Sequence, residues 1–390
     1  MKKWIFIGVL FLEITPFLQA QPSYHSSQSN TLAEQVKQLK QKVEWLNVYL
    51  NMQGSFDIYL NDNPNEKTAF KMNQLRLEVK GNVTDKIYYR YRQRLNRNNS
   101  AQTLDNLPAS IDYAAIGFQV TDYLSILAGK QCTAFGGFEF DLNPIEVYQY
   151  CDMLDYMSNF LTGVDFIWQI HSNHELHFQI VDSRNGSFSD FFGKVPEGIK
   201  AAKSPLGYTI NWNGNLFENK LKTRWSASMF QDAKDKNWYY YALGTELNLP
   251  KFVAFFDFMY SREDIDRTGI ISQIAMTDGY DTRALDARYM SMILHLTYRL
   301  SPYFRVWAKG TRETSRVKDA NGELEKGKYR TSWGYMGGIE YYPQKDNNLH
   351  FFLNYIGQSF DYTDRAKVFG VSNSNPQRIS LGLVYQLPIF

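Results

Sequence analysis

The chain has 390 residues, a formal net charge of +2 and 44% hydrophobic residues, and it is long enough for two soluble domains. The near-neutral charge excludes the extended basic surface of a protein that binds nucleic acid in bulk. The mean hydropathy of −0.42 excludes a bundle of membrane-spanning helices, but not a transmembrane β-barrel, whose strands alternate polar and apolar residues.

Residues 1–20 have the three parts of a secretory signal peptide. Lys2 and Lys3 form the charged start, residues 4–12 form the apolar core, and a small residue ends the segment. The apolar run is broken at Glu13 and is too short to span a bilayer as a helix, so we expect cleavage rather than anchoring. The rest of the sequence has no apolar run long enough for a membrane helix. The mature chain is therefore expected to be exported, and to be either soluble or barrel-forming.

Residues 21–50 are predicted to form a periplasmic linker followed by a helix. The start of this segment is polar, and apolar residues then recur at alternating spacings of four and three, which is the seam of a coiled coil. The seam consists of Leu32, Val36, Leu39, Val43, Leu46 and Leu50. A single helix of this length is marginal in water. It either associates with copies of itself, or packs against or inside the body of the protein.

From residue 51 to residue 390 the apolar residues alternate with period 2, and we identify sixteen candidate strands. Many are close to the length of about 9–11 residues with which a tilted strand crosses a bilayer. Tight turns alternate with long connections, which is typical of outer-membrane barrels with periplasmic turns and extracellular loops. The predicted long connections are 61–68, 96–110, 131–162, 183–204, 232–237, 262–287, 313–330 and 361–377.

An even number of strands closes the sheet without a free edge. The alternative is a soluble β-sandwich or propeller, but no repeat of propeller length is visible and sandwich strands are shorter. The sequence therefore predicts an all-β fold, a 16-stranded antiparallel transmembrane β-barrel with a short N-terminal α-helical coiled-coil segment. Its predicted location is among the lipids of the outer membrane of a Gram-negative bacterium.

Residues 131–162 form the longest connection, and a loop of this length in a compact domain is usually functional. We expect it to fold into the barrel and narrow the lumen. Its candidate constriction residues are Lys130, Phe135, Phe138 and Glu139. The only two cysteines, Cys132 and Cys151, also lie here. A disulfide between them would contribute about 3 kcal/mol by closing a loop, but spacing alone does not distinguish a bridge from two free thiols.

The candidate strand 86–95 carries Arg90, Arg92 and Arg94 on one face, about 6.6–7 Å apart, because strand side chains alternate with period 2. An arginine at mid-bilayer costs about 2–4 kcal/mol, so this row is expected to face the lumen. Other basic residues predicted to line the pore are Arg76, Lys80, Lys222, Arg224, Arg305 and Lys309. Such a row attracts anions, phosphate included. Acidic residues on the same faces would instead neutralise it, and the sequence leaves both interpretations open.

His171, His174 and His177 are spaced by three, which does not keep them on one face of a strand. They are predicted to be solvated histidines near a turn rather than ligands of a metal. The sequence contains no nucleophile–base set, no phosphate-binding glycine loop and no zinc motif. We therefore predict no enzymatic activity, no cofactor and no metal.

The stretch 127–139 reads LAGKQCTAFGGFE, and Leu161-Thr162-Gly163-Val164 restarts the strand pattern after the long loop. With the heptad segment and the sixteen strands, these residues resemble the phosphate-selective porin O and P family, in its Bacteroidetes branch. The Pro-Phe-Gly pattern of the family is Ala134-Phe135-Gly136 here, and Cys132 stands where a polar or basic residue is usual. The resemblance covers almost the whole mature chain and implies a homotrimeric porin.

These observations predict an outer-membrane porin that forms a water-filled channel for passive diffusion of small hydrophilic solutes, either without selectivity or with a preference for anions, phosphate included. The alternative is a structural or surface-interaction barrel whose lumen is plugged by the long loop. The aromatic last residue, Phe390, resembles the signal by which outer-membrane barrels are recognised by their assembly machinery.

Overall fold

Within the part of the chain that the structure describes, sixteen antiparallel strands close into a barrel, and β1 pairs with β16. This computed structural model describes residues 45–61, 67–99, 104–279, 281–345 and 347–389. It confirms the predicted all-β fold and the number of strands. The strands are β1 Asn47–Asn61, β2 Thr68–Thr84, β3 Ile87–Arg94, β4 Ile111–Thr121, β5 Leu124–Cys132, β6 Phe160–His171, β7 His174–Asp182, β8 Leu206–Leu216, β9 Leu221–Ala233, β10 Lys236–Asn248, β11 Phe252–Ile265, β12 Leu285–Arg299, β13 Phe304–Val317, β14 Gly327–Tyr341, β15 His350–Tyr362 and β16 Gln377–Pro388.

β1 begins at Asn47, so the end of the predicted helix, residues 47–50, is extended rather than helical. Pairing explains the difference, because Val48 and Leu50 lie opposite apolar residues of β2 and continue the outward apolar face of the strand. The remainder of the predicted helix up to residue 44, the predicted signal peptide and Phe390 lie outside the described residues.

The connections at the two ends of the barrel differ in length. At one end the strands are joined by short turns, of which 85–86, 122–123 and 172–173 have only two residues each. At the other end most connections are long, and 133–159 is the longest among them. The predicted long connection 232–237 is an exception, because β9 and β10 continue into a two-residue turn. Asp235 adopts a positive φ of 60° there, which tight hairpin turns require.

The two faces of each strand have opposite character, as the period-2 pattern predicts. On β10, Trp238, Tyr240 and Glu246 are buried in the interior, whereas Tyr241 and Leu243 are exposed on the outside. The same alternation gives most other strands an apolar outer face and a polar or packed inner face. Such a surface matches a bilayer on the outside and an aqueous lumen on the inside.

The helices of the described residues are short and lie in the long loops. They are α1 Phe138–Asp141, a 3₁₀ turn Pro144–Glu146, α2 Asp152–Tyr156, α3 Phe188–Phe192, α4 Ile270–Met276 and α5 Asp364–Lys367. In the part of the chain that is described, no helix combines the length and the apolar content that crossing a membrane requires.

An apolar cluster fills one side of the interior. It joins the loop 133–159 to the inner faces of β9–β12 and continues to the outer loops that carry α4 and α5. Ile271, Leu324 and Phe369 are among the residues that bury side chains at this outer end. Because these loops cover the side formed by β9–β15, the open part of the lumen lies against β1–β8.

Candidate functional site

A cavity of about 990 Å³ lies along the inner wall formed by β1–β8. Its lining includes Asn47 and Gln386, at the end of the barrel with the short turns. It also includes Asn96 and Asn185, at the end with the long loops. The cavity therefore has lining residues at both rims, as a water-filled channel requires.

Four arginines form one wall of this cavity, which we call the arginine wall: Arg76 on β2, and Arg90, Arg92 and Arg94 on β3. Lys80 lines the cavity beside them. The strand register places Arg76 opposite Arg94 and Lys80 opposite Arg90. The alternation that the sequence shows on β3 thus brings the three predicted arginines to the lumen, together with two of the other predicted basic residues.

Asp112 holds the arginine wall together. Its buried carboxylate accepts from Arg76 at 2.8 Å through Nη1, from Arg92 at 3.1 Å through Nε, and lies 2.9 Å from Nε of Arg94. Glu78 pairs with Arg90 at 2.8 Å. Five cations, Lys80 included, therefore share two carboxylates, which leaves this side of the lumen positively charged.

Tyr113 lies beneath the arginine wall and limits the movement of its side chains. The guanidinium carbons of Arg90 and Arg92 lie 4.0 and 4.8 Å from the centre of its ring. Cation–π contact of this kind stabilises a desolvated guanidinium and fixes its plane. The wall is therefore a preorganised surface rather than a set of freely rotating side chains.

Lys130, one of the predicted constriction residues, lies on β5, which continues to Cys132. Its ammonium group lies 2.8 Å from the carboxylate of Asp105, which belongs to the preceding outer loop. Lys130 lines the cavity, but its side chain is buried by this pair. It connects the loop 95–110 to the barrel wall next to the arginines.

The loop 133–159 packs against the inner faces of the strands, and it is held by an aromatic anchor. The ring of Phe135 is fully buried, with Trp238 and Tyr240 each 5.3 Å away between ring centres. Gly136 and Gly137 follow with φ of 69° and 86°, and Gly137 donates its N–H to the carbonyl of Arg224 at 3.0 Å. A side chain on Gly136 would lie 2.9 Å from that carbonyl, so glycine allows this close approach.

Two carboxylates on the inner face of the barrel bind the backbone of the same loop. Asp257 accepts from the N–H groups of Phe138 at 2.9 Å and Glu139 at 2.8 Å. Glu313 accepts from the N–H groups of Asp152 at 2.7 Å and Met153 at 3.1 Å. Each carboxylate thus satisfies the free N–H groups at the start of a short helix, which fixes the loop against β11–β13.

The remaining predicted basic residues hold this loop or pair with acidic residues of neighbouring strands. They are not part of the described lining of the cavity. Lys309 pairs with Glu139 at 2.8 Å, and Arg224 pairs with Asp141 at 3.1 Å. Arg305 pairs with Glu340, and Lys222 pairs with Glu246, each at 3.5 Å. Phe135, Phe138 and Glu139 are likewise buried against the wall, so they position the constriction without lining it.

The side of the loop that faces the arginine wall is partly acidic. Asp141 and Asp155 line the cavity, together with Tyr150, Leu154 and Met157. A solute that passes between the wall and the loop therefore has basic groups on one side and acidic and apolar groups on the other. This arrangement produces an electric field across the pore rather than a ring of one charge.

The family model of the phosphate-selective porin O and P family matches residues 46–387, which is most of the chain. The chain belongs to this family. It is an outer-membrane channel protein of the porin class, and the resemblance predicted from the stretch 127–139 is confirmed. Among the curated proteins compared with the chain, none matches at a significant level.

Solved structures of outer-membrane proteins share the fold of this porin. The outer membrane channel DcaP of Acinetobacter baumannii is 13% identical with a TM-score of 0.60, over 88% of this chain and 97% of that chain. The trimer form of the outer membrane protein OmpT of Vibrio cholerae is 10% identical with a TM-score of 0.55, over 88% and 99%. The anion-selective porin of Comamonas acidovorans is 8% identical with a TM-score of 0.53, over 88% and 99%.

His177 differs from its prediction as a solvated turn residue. It is buried on the lumen side of β7, where Nδ1 lies 2.8 Å from Asp165 and Nε2 lies 2.7 Å from Glu175. His171 and His174 do lie at the two-residue turn between β6 and β7. No group of residues with the composition of a metal site was found among the described residues.

Sequence reasoning overlooked Asp112 and Glu313, for different reasons. Glu313 shares the inward face of β13 with Lys309, so period 2 could have found it. Asp112 lies at a register shift where Arg92 pairs with Tyr113 and the next residue pairs with Ile111. A bulge of this kind inserts an extra residue into one strand and changes which face the neighbouring residues occupy. The local sequence pattern does not reveal it.

Cys132 and Cys151 are free thiols in this porin. Cys132 is half-buried and lines the cavity, whereas Cys151 is buried behind the loop. Burial, followed by the charges of Glu313 and Glu139, raises the pKa of the Cys151 thiol well above its ordinary value. Only Cys132 is therefore positioned to meet a reagent in the lumen, because its side chain lines the cavity and that of Cys151 does not.

A negatively charged methanethiosulfonate added to the open channel is expected to modify Cys132 and to lower the single-channel current. The reason is that the added sulfonate group occupies the lumen beside the arginine wall. The measurement is the current of single channels in a planar bilayer before and after the reagent. Cys151→Ser should respond like the unmodified protein and Cys132→Ser should not; an equal response of Cys132→Ser would show that Cys151 is the accessible thiol.

Proposed function

We propose that this channel passes small hydrophilic solutes by passive diffusion and favours anions, inorganic phosphate and phosphate esters among them. The observation that carries the proposal is the arginine wall, in which Arg76, Arg92 and Arg94 share the single carboxylate of Asp112. A route beside such a wall offers a passing anion both charge and hydrogen-bond donors.

The number of hydrogen-bond donors supports binding of oxyanions. Three guanidinium groups carry about fifteen N–H donors, whereas one carboxylate offers about four acceptor sites. Asp112 therefore leaves most of the donors of its three partners for water or solute. Guanidinium groups bind phosphate and carboxylate oxygens in pairs, so oxyanions are the class that this wall fits best.

The acidic residues across the cavity set a limit to this preference. Asp141 and Asp155 face the arginine wall, so cations also find a favourable side of the pore. We therefore propose a preference for anions and not the exclusion of cations. The rival interpretation, a structural barrel with a plugged lumen, is disfavoured by the cavity that reaches both rims. The family and the fold point to a channel rather than to an enzyme.

We also propose that the porin forms a homotrimer and that its assembly machinery recognises Phe390. Support for the trimer comes from the fold that it shares with OmpT of Vibrio cholerae, which was solved in a trimer form. Support for recognition comes from the likeness of Phe390 to the aromatic signal that the assembly machinery of outer-membrane barrels recognises. Cross-linking in mild detergent would yield a band of three chains if the first proposal holds.

The reversal potential of the purified protein in a planar bilayer tests the proposed selectivity. In a tenfold gradient of potassium chloride we expect current steps that reverse at the potential of an anion-preferring pore. The preference should increase at low salt, because charges on the wall are then screened less. Reversal at zero would mean that Asp141 and Asp155 cancel the wall, and the absence of current steps would favour the plugged barrel.

A further inference from the structure

Four neighbouring strands carry basic residues at the same level near the rim with the long loops. Arg262 on β11 lies opposite Arg288 on β12, Arg288 lies opposite Arg316 on β13, and Arg316 lies opposite Lys328 on β14. We call these four residues the rim row. Since paired strands are about 4.8 Å apart, the rim row extends over about 14 Å of the barrel circumference.

The alternation of the strands places the rim row on the outside of the barrel. Ala287 and Tyr289, which flank Arg288, are both buried in the interior, and so is Val317, which follows Arg316. Arg262, Arg316 and Lys328 are exposed, and the side chain of Arg262 is 49% accessible. The row is therefore independent of the arginine wall, which faces the lumen.

On β12 the height of the rim row is set by the apolar face below it, whereas the outer face of β13 carries Thr314 and Arg312 below Arg316. On β12 the outward residues between Arg288 and Tyr298 are Met290, Met292, Leu294 and Leu296. Ten residues of a strand tilted by about 40° rise about 26 Å, close to the height of the apolar band of outer-membrane barrels, about 25 Å. With Tyr298 at the periplasmic boundary, the rim row lies at the level of the outer-leaflet headgroups.

The rim row is a row of like charges with little internal compensation. Like charges directly opposite each other on paired strands destabilise a sheet. Among the ion pairs of the described residues, the row contributes only that of Arg262 with Asp264, at 3.7 Å. Other carboxylates lie within a few residues of the row or of its strand neighbours, and in the described part of the chain none of them forms an ion pair with it: Asp286, Asp319, Glu325, Asp361 and Asp364. Arg288 is buried in the middle and donates to the backbone carbonyl of Ala287 at 2.8 Å.

We propose that the rim row binds the phosphorylated headgroup of an outer-leaflet lipid. The charge requires an anion, and the outward position at the upper edge of the apolar band favours one that carries acyl chains. Met290 and Tyr260 lie opposite each other directly below the row, where such chains would pack. A soluble phosphate would lack this apolar contact, and a convex outer wall offers it no enclosing pocket.

Retention of lipid by the full-length protein tests the proposal. Native mass spectrometry would measure the lipid bound per chain in detergent micelles that contain diphosphoryl lipid A, dephosphorylated lipid A or phosphatidylcholine. The test variant combines Arg262→Gln, Arg316→Gln and Lys328→Gln, and it keeps the buried Arg288. The matched control combines Lys86→Gln, Lys251→Gln and Lys345→Gln, which removes three charges from exposed residues at the opposite rim.

The unmodified protein and the control should retain diphosphoryl lipid A and should lose it when the phosphates are removed. The test variant should bind it roughly a hundredfold more weakly, since each basic residue near an anionic lipid surface contributes about fivefold. The proposal would be overturned if the test variant retained as much diphosphoryl lipid A as the unmodified protein. It would also be overturned if the unmodified protein retained dephosphorylated lipid A equally well. Displacement of the lipid by millimolar inorganic phosphate would overturn it in favour of a soluble anion. Circular dichroism confirms that each variant is a folded barrel.

Discussion

Replacing Arg90, Arg92 and Arg94 together with glutamine is expected to lower the chloride-to-potassium permeability ratio roughly several-fold. Glutamine keeps much of the size and the hydrogen bonding, and it removes three of the five positive charges on this side of the cavity. The remaining Arg76 and Lys80 are then balanced by Glu78 and Asp112, so the local field should fall to near zero. The reversal potential at low salt measures the change, because screening is weakest there.

The same substitutions are expected to destabilise the barrel, because Asp112 is fully buried and is left with Arg76 as its remaining partner. Breaking a buried ion pair from one side costs about 3–5 kcal/mol. Relief of repulsion among the three arginines is the smaller contribution. Adding Asp112→Asn to the variant should lower the stability further, because the buried Arg76 would then lose its charged partner.

The variant Lys86→Gln, Lys251→Gln and Lys345→Gln is the control for selectivity, since these exposed residues lie outside the described lining of the cavity. It should leave the permeability ratio unchanged. If the arginine variant also keeps the ratio of the unmodified protein at low salt, the acidic side of the loop already cancels the wall. The channel is then a general porin without selectivity.

Truncating Phe135 to alanine is expected to loosen the loop 133–159 by about 3–5 kcal/mol, the usual cost of removing a buried phenyl ring. The ring is fully buried, and it contacts Phe140, Phe230, Trp238 and Tyr240. With its aromatic anchor removed, the loop should leave the wall for part of the time. Single channels should then show fluctuating currents of higher mean conductance, and the thermal unfolding temperature should fall.

Phe256→Ala is the matched control, because Phe256 is a phenylalanine on the outer face of β11 with 44% of its surface exposed. It removes the same atoms without changing the interior, so its currents should be steady. A Phe135→Ala channel with steady current and unchanged unfolding temperature would show that Asp257 and Glu313 alone hold the loop.

The barrel and the inward position of the arginines follow from the sequence because they depend on one local rule. Alternation assigns a face to each residue, and the cost of an arginine in lipid then decides which face is the lumen. Arg90, Arg92 and Arg94 obey this rule without interruption, as do the apolar residues of β10 and β12. An even number of strands leads to closure by the same reasoning.

The partners of these residues could not be predicted, because they are far apart in the chain. Asp112 reaches the arginine wall through a bulge, and a bulge reverses the facing that alternation assigns. Lys309 pairs with Glu139, which is 170 residues away, so its role as a loop anchor depends on the folded register. The sequence therefore identifies which residues face inward, but not which of them face water.

Because the channel lies off-centre, one side of the barrel anchors the loops and the other side borders the solute path. A symmetric pore would use the same strands for both. The side of the barrel from β9 to β15 is committed to anchoring loops, and its buried residues tolerate few changes. The side from β1 to β8 borders the solute path, and substitutions on two of its strands are enough to alter the charge that a solute meets. We therefore expect substitutions on β2 and β3 to change the solute preference of this porin while the loop-anchoring side stays intact.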